Sequence, residues 1–280
     1  MEVKFIEAGK FFADGGAMFG AIPKTAWDRR YPCDRKNGCI LTMRCALIMT
    51  DDGRVILIDT GAGDKQLAKL SYYRFFDLKD IAKELSLYGI SCEDVTDVVL
   101  THLHFDHCGY VTRKNEKSGE LSLAFPRATY WVSNRQWENF LHPHPLEKDS
   151  YFHENLLLVR NLGLLQLVNS DTELCRDVSL RLYDGHTPGQ LVPYINMPDQ
   201  TFVFAGDVIP LVASVSPEWI SAYDVSPLVS YNEKIRMLEE AVIKKQRIIY
   251  CHDAYVESSE IKKLNSFYKA VNITGREENA

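Results

Sequence analysis

The segment Thr101-His102-Leu103-His104-Phe105-Asp106-His107-Cys108-Gly109 carries three histidines and an aspartate within the six residues from His102 to His107. Imidazole and carboxylate are ordinary ligands for zinc, and also for iron or manganese. In an extended backbone, residues two apart point to the same side, so His102 and His104 can grip one ion together. Asp106 and His107 follow where the strand breaks into a turn, and can face a second ion beside the first. A polar loop with accidental histidines is the competing explanation, and so dense a run of ligand types argues against it.

The elements that must position these side chains are short apolar strands, each ending in a polar turn. Val55-Ile56-Leu57-Ile58 ends in Asp59-Thr60-Gly61, and Val98-Val99-Leu100 runs into Thr101-His102. Ser179 to Tyr183 alternates apolar and polar positions, as a half-buried strand does, and ends in Asp184-Gly185-His186. Thr201 to Ala205 ends in Gly206-Asp207, and Ile248-Ile249-Tyr250 ends near His252. Between them lie helical patterns. Asp80 to Tyr88 closes on Gly89, Ser133 caps a helix through Phe140, Asp149 opens one toward Val159, and Asn232 caps one from Glu233 to Lys244. Alternating strands and helices make the fold class α/β, where loops from several strands converge on one rim.

Bulk properties narrow the function. A chain of 280 residues with 46% hydrophobic and 25% charged residues is ordinary for a soluble globular protein. The net charge of -6 argues against nucleic acid as a partner. The one compact basic stretch, Arg113 to Lys117, is broken by Asn115 and Glu116 and reads as a solvated loop. No apolar run approaches the roughly 20 residues that span a bilayer, and the N-terminal residues lack the pattern of a signal peptide. The seven cysteines are odd in number, include no C-x-x-C pair, and fit buried thiols in a reducing cytoplasm. Cys108 and Cys251 each abut a histidine and read as small buried neighbours. His142, His144 and His153, in a Pro-broken charged stretch, read as exposed.

With H-x-H-x-D-H after a buried strand, followed in order by Asp184-Gly185-His186-Thr187-Pro188-Gly189, Gly206-Asp207 and His252, the sequence resembles the metallo-β-lactamase superfamily over nearly its whole length. The resemblance implies an αββα sandwich forming a single domain over 1–280. It also implies two divalent metal ions, zinc first and iron or manganese as alternatives. One ion falls to His102, His104 and His186, the other to Asp106, His107 and His252, with Asp207 shared. Asp59 matches a recurrent I-D-T-G turn, where it either orients a ligand histidine or simply forms the turn.

Such a pair of cations, about 3.5–4 Å apart, presents a bridging hydroxide near neutral pH and polarises the oxygen under attack. Asp106 can accept and return the proton. Flavin-linked redox relatives typically carry Glu where this chain has His104, so hydrolysis is the expectation. A metal-binding protein without catalysis is the reading from another class. The chain is most similar to the N-acyl-homoserine-lactonase-like branch, through Asp14 to Gly20 with Pro23-Lys24, Asp207-Val208-Ile209-Pro210, Pro217 to Ile220, and Ala222-Tyr223-Asp224. The expected substrate is a lactone or related carboxylic ester. A phosphoric ester, or a thioester of the glyoxalase II type, is the alternative on the same metals. The short tail after Tyr255 offers little for a glutathione-binding segment.

One departure concerns specificity. Lactonases of this branch place a tyrosine three residues after the shared aspartate, and this chain has Pro210 there, with Leu211 and Ser214 also unlike its relatives. Tyr223 is the substitute candidate for a catalytic phenol. The residues 1–36 include an N-terminal arm expected near the active site, with Phe11, Phe12, Met18, Phe19, Trp27 and Tyr31. A second cluster, Tyr72-Tyr73-Arg74-Phe75-Phe76, follows the first strands. Either these aromatics wall a pocket for an apolar group on a small-molecule substrate, or they pack an arm or a homodimer contact.

Overall fold

A computed structural model describes residues 1–115 and 117–275. Glu116, which interrupts the basic stretch, lies outside the described residues. Thr112–Lys114 is not loop but a short strand antiparallel to Leu121–Leu123, with Arg113 and Lys114 exposed. The chain forms two compact units. One comprises Met1–Lys10 and Met43–Ser170, the other Phe11–Thr42 and the described residues from Asp171.

The first unit is built on a six-stranded sheet in the order Glu2–Asp14, Gly38–Met49, Val55–Ile58, Asp97–Val99, Thr129–Ser133, Leu165–Val168, with residues 11–14 and 38–42 of the first two strands belonging to the second unit. Val55–Ile58 pairs antiparallel with Ala46 to Met49, and the four strands from Val55–Ile58 onward are mutually parallel. Parallel strands carry near-continuous apolar runs because both faces are covered. Ile56, Leu57, Ile58, Val98 and Val99 are all fully buried. The carboxyl ends of two neighbouring parallel strands lead straight into Asp59 and Thr101-His102, the position at which α/β sheets commonly carry ligand sites.

The expected helix caps hold where the cap residue is isolated. Asp80 accepts from Ala82 N ahead of helix Ile81–Ser86, and Ser133 accepts from Gln136 N ahead of Asn134–Leu141. The helix expected from Asp149 toward Val159 is mostly absent. Lys148–Ser150 and His153–Asn155 are single 3-10 turns, and only Leu157–Asn161 is α-helical. Asp149 sits inside the first of these turns rather than capping a longer helix.

The second unit carries a seven-stranded sheet whose central strands are Arg247–Ile249, Thr201–Phe204, Gln190–Asn196 and Val178–Tyr183, in that order. Thr201–Phe204 runs parallel to Arg247–Ile249 and antiparallel to Gln190–Asn196, which runs antiparallel to Val178–Tyr183. Three strands therefore point the same way, and their carboxyl ends lead to His186, Asp207 and His252. Helix Pro227–Lys244 buries Ser230, Lys234, Met237, Leu238 and Ala241, a stripe at helical spacing, and Met237, Leu238 and Ala241 join a core with Val203, Ile248 and Tyr250. This helix begins well before the expected start at Glu233. Pro227 presets the backbone dihedral of a first turn, and Asn232 is an exposed mid-helix residue rather than a cap. The segment after Tyr255 forms an antiparallel hairpin, Ser258–Leu264 with Phe267–Thr274, at the edge of this sheet.

The turn before His186 is packed against that helix so closely that a Cβ on Gly185 would lie 2.4 Å from the backbone of Ser230. Gly185→Ala is expected to cost roughly 1–3 kcal/mol of stability through overpacking. A lowered denaturant midpoint of the metal-free protein at unchanged slope checks it; an unmoved midpoint contradicts the packing described.

Candidate metal centre

In the first unit His102, His104 and His107 are buried. The His102 ring centroid lies 4.5 Å from that of His104 and 3.9 Å from that of His107. The extended backbone of the motif ends at His104, which stands at the N-cap position of the short helix Phe105–Cys108. Asp106 and His107 are thereby turned together, with Asp106 Oδ2 3.8 Å from His107 Nε2.

Asp59 organises this group. It sits at φ 58°, a left-handed turn that Asp tolerates. Its Oδ1 accepts from Thr101 N and its Oδ2 from Thr101 Oγ1, each at 2.8 Å. The same Oδ2 lies 2.8 Å from His107 Nδ1. Asp59 thus forms the turn and also orients a histidine. Thr60 adds a backbone hydrogen bond of 2.7 Å to the His107 carbonyl. Having given its proton to Asp59, the Thr101 hydroxyl accepts from His102 Nδ1, 3.1 Å away. His104 is held from its other nitrogen, with Nε2 3.1 Å from the buried carboxylate of Glu147.

In the second unit His186, Asp207 and His252 stand at the three aligned strand ends. Asp207 Oδ2 lies 3.4 Å from His186 Nε2, and Oδ1 lies 3.1 Å from His252 Nε2. His186 Nδ1 is 3.0 Å from Asp224 Oδ1, and His252 Nδ1 is 2.8 Å from the Thr42 carbonyl. Glu233, on the long helix, accepts from the backbone N–H groups of Asp184 and Gly185 at 2.9–3.0 Å and fixes the turn that presents His186. Cys251 belongs to the same cluster: one atom each of Asp207, Cys251 and His252 lie within 4.8 Å of one another. Burial pushes its thiol up to about 12, and the thiol donates to Asp207 Oδ1 at 3.3 Å.

These partners decide the tautomers. Asp59, Glu147, Asp224 and the Thr42 carbonyl only accept, so when a cation takes the other nitrogen the proton of each imidazole lies on the side facing its holder. His102, His107, His186 and His252 then present a lone pair at Nε2, and His104 at Nδ1. The pattern of an imidazole gripped at one nitrogen and offering the other is that of metal-binding histidines. Around Asp207, His186 Nε2 and His252 Nε2 converge on one carboxylate, a set of atoms that a cation can occupy. His252 registers this: burial opposes its protonation, but Cys251 and Asp207 outweigh burial and raise its proton affinity well above the ordinary histidine range. The donor set fits divalent metal.

Of the other expected residues, Tyr223 is 41% exposed and adjoins Asp224, the partner of His186. Pro210, where relatives carry tyrosine, is buried and accepts a hydrogen bond from His252 N at 3.1 Å. In the arm Phe19, Trp27 and Tyr31 are fully buried, and Phe11 meets the His252 ring edge-on at 5.8 Å. Phe19 stacks on Trp27, meets Trp219 edge-on at 5.7 Å, and Ala17 O accepts from Ala222 N at 2.8 Å. The arm thereby braces the loop carrying Asp224, which buried Lys234 also ties down by donating to Trp219 O at 2.6 Å. The second aromatic cluster behaves differently. Tyr73 and Phe75 are half-buried and contact Phe105, inside the motif, at centroid distances of 5.2 and 6.1 Å.

His142, His144 and His153 are exposed, as expected. Sequence reasoning missed Glu147, Asp224 and Glu233 as holders of the histidines or their turns. Asp224 stood in a segment noticed for resemblance alone, and Glu147 lies in the charged stretch read as solvent-facing.

Comparison with known proteins agrees with the geometry. The profile described as "Metallo-beta-lactamase superfamily" matches residues 44–252. The N-acyl homoserine lactonase AiiA of Bacillus thuringiensis subsp. kurstaki is 25% identical over 236 residues, covering 78% of this chain and 84% of that protein. A crystal structure from Staphylococcus aureus, described as a probable metal-dependent hydrolase, superposes with TM-score 0.89 at 26% identity, covering 100% of this chain and 98% of that one. AidC, a dizinc quorum-quenching lactonase in complex with a hexanoyl-homoserine product, gives TM-score 0.77 at 19% identity, covering 99% and 95%. The chain belongs to the metallo-β-lactamase superfamily, with its α/β sandwich fold, as a metal-dependent hydrolase.

Proposed function

We propose that this protein is a dinuclear hydrolase of lactones or related carboxylic esters bearing an apolar group, working in the cytoplasm. The observation that carries the reading is the shared preparation of five buried imidazoles, each held at one ring nitrogen so that the other offers a lone pair. In this reading His102, His104 and His186 hold one cation and Asp106, His107 and His252 the other, with Asp207 common to both. Bound there, two divalent ions, zinc in the first instance, supply an activated water at neutral pH and a Lewis acid for the carbonyl oxygen.

The chain's own residues do the rest. Asp106, its side chain 12% exposed, is the group that takes the proton released on attack and returns it to the departing alkoxide. Tyr73 and Phe75, packed on Phe105, form an apolar wall beside the motif for an acyl group. Tyr223 is the candidate phenol for steadying the substrate carbonyl in place of the tyrosine that Pro210 replaces. Lactone is favoured over other esters by the lactonases among the relatives.

Elemental analysis of protein purified without added metal tests the centre. About two ions per chain are expected from the seven-residue set, falling to one or none in Asp207→Ala and His104→Ala; full occupancy in both variants contradicts the assignment.

Asp106→Asn is expected to lower kcat by roughly 10²–10⁴-fold while leaving the thermal unfolding midpoint nearly in place. A variant as active as the parent removes Asp106 from the chemistry.

For specificity, acyl-homoserine lactones of increasing chain length should show kcat/KM rising by roughly fourfold per buried methylene, the equivalent of about 0.8 kcal/mol, until the wall is filled. Equal turnover of acetyl and long-acyl substrates argues against the apolar wall. Hydrolysis of bis-p-nitrophenyl phosphate with inert lactones and thioesters moves the reading to phosphoric esters.

A further inference from the structure

His102, His107, His186 and His252 each have an orienting partner at Nδ1, whereas His104 has Glu147 at Nε2. Its holder, Glu147, comes from the segment His142-Pro143-His144-Pro145-Leu146-Glu147, whose histidines and Leu146 are exposed while the Glu147 side chain is only 4% exposed. Burying a carboxylate costs several kcal/mol unless its oxygens are matched by donors, and here they are. Asn139 Nδ2 donates to Oε1 at 2.7 Å, and Tyr151 Oη donates to Oε2 at 2.9 Å. His104 Nε2 lies 3.1 Å from that same Oε2. The arrangement is tied back to the motif itself. Asn139 also reaches Tyr151 Oη at 2.9 Å, Tyr151 Oη lies 3.0 Å from Gln136 Oε1, and that oxygen accepts from Leu103 N at 3.2 Å. The backbone between His102 and His104 and the ring of His104 are therefore gripped by one network.

We propose that Glu147 is the positioning residue for His104: it keeps the ring proton on Nε2, aims Nδ1 at the metal, and strengthens that nitrogen as a donor by placing a negative charge across the ring. The role differs in kind from that of Thr101, which holds His102 with a neutral hydroxyl. Loss of the charge weakens one metal equivalent, the one His104 binds, and spares the other. The inference rests on the dinuclear reading above.

The test compares parent, Glu147→Gln, Tyr151→Phe and His104→Ala, each prepared metal-free and titrated with Zn²⁺ against a chelator and with Co²⁺ while the visible spectrum is recorded. In Glu147→Gln one of the two equivalents should bind roughly 10–100-fold more weakly, with a changed Co²⁺ spectrum and a metal-free unfolding midpoint close to the parent's. Tyr151→Phe keeps the carboxylate but removes a donor to it, and should weaken the same equivalent by roughly fivefold. It also serves if Glu147→Gln fails to fold. In a His104→Ala background, Glu147→Gln should add no further loss, because the coupling runs through the ring. Unchanged affinities and spectra in a parent that binds two ions overturn the role of Glu147 alone. So does an equal further loss in the His104→Ala background. A parent that binds no second ion overturns the dinuclear reading instead.

Discussion

An imidazole can give a cation its lone pair only if its proton is kept on the other nitrogen, and everything chemical in this protein depends on that constraint. Water would exchange the two tautomers freely. Buried acceptors do not allow it: Asp59, Glu147, Asp224, the Thr42 carbonyl and a Thr101 hydroxyl already committed to Asp59 each assign a proton position. The residues that hold the histidines are thus as much part of the candidate site as the histidines. They also explain why carboxylates are found among otherwise apolar strand ends, a placement that is costly unless it is answered by donors.

The sheets supply what loops alone lack, which is rigidity at the point of departure. In the first unit Asp59 and His102 leave adjacent parallel strands, so their separation is set by strand spacing. In the second, three strands of common direction end at His186, Asp207 and His252. The N-terminal arm contributes in a less direct way. Its aromatic residues pack on Trp219 and hold the loop bearing Asp224, so this segment supports the partner of His186.

Much of this was legible in the chain. Strand termini, the caps at Asp80 and Ser133, and the clustering of imidazoles could be read because each depends on local chemistry: apolar runs, short polar side chains able to accept from an unpaired N–H, and imidazole spacing. Asn232 offers a plausible cap and so suggests a later start for helix Pro227–Lys244, whereas Pro227, suited to a first turn, begins it. The segment after Asp149 suits one helix by its residues, but 3-10 turns break it up.

By itself, then, the sequence determined the imidazole and carboxylate residues of the candidate site, their order along the chain, and the strand ends that carry them, because covalent spacing and hydrophobic periodicity are local. Tertiary structure alone decided which nitrogen of each histidine is held and by what. Glu147 is 43 positions from His104, Asp59 is 48 from His107, and Thr42 is 210 from His252. Hydrogen bonds across such separations leave no periodic trace in the chain; they exist only once folding has removed the competing water.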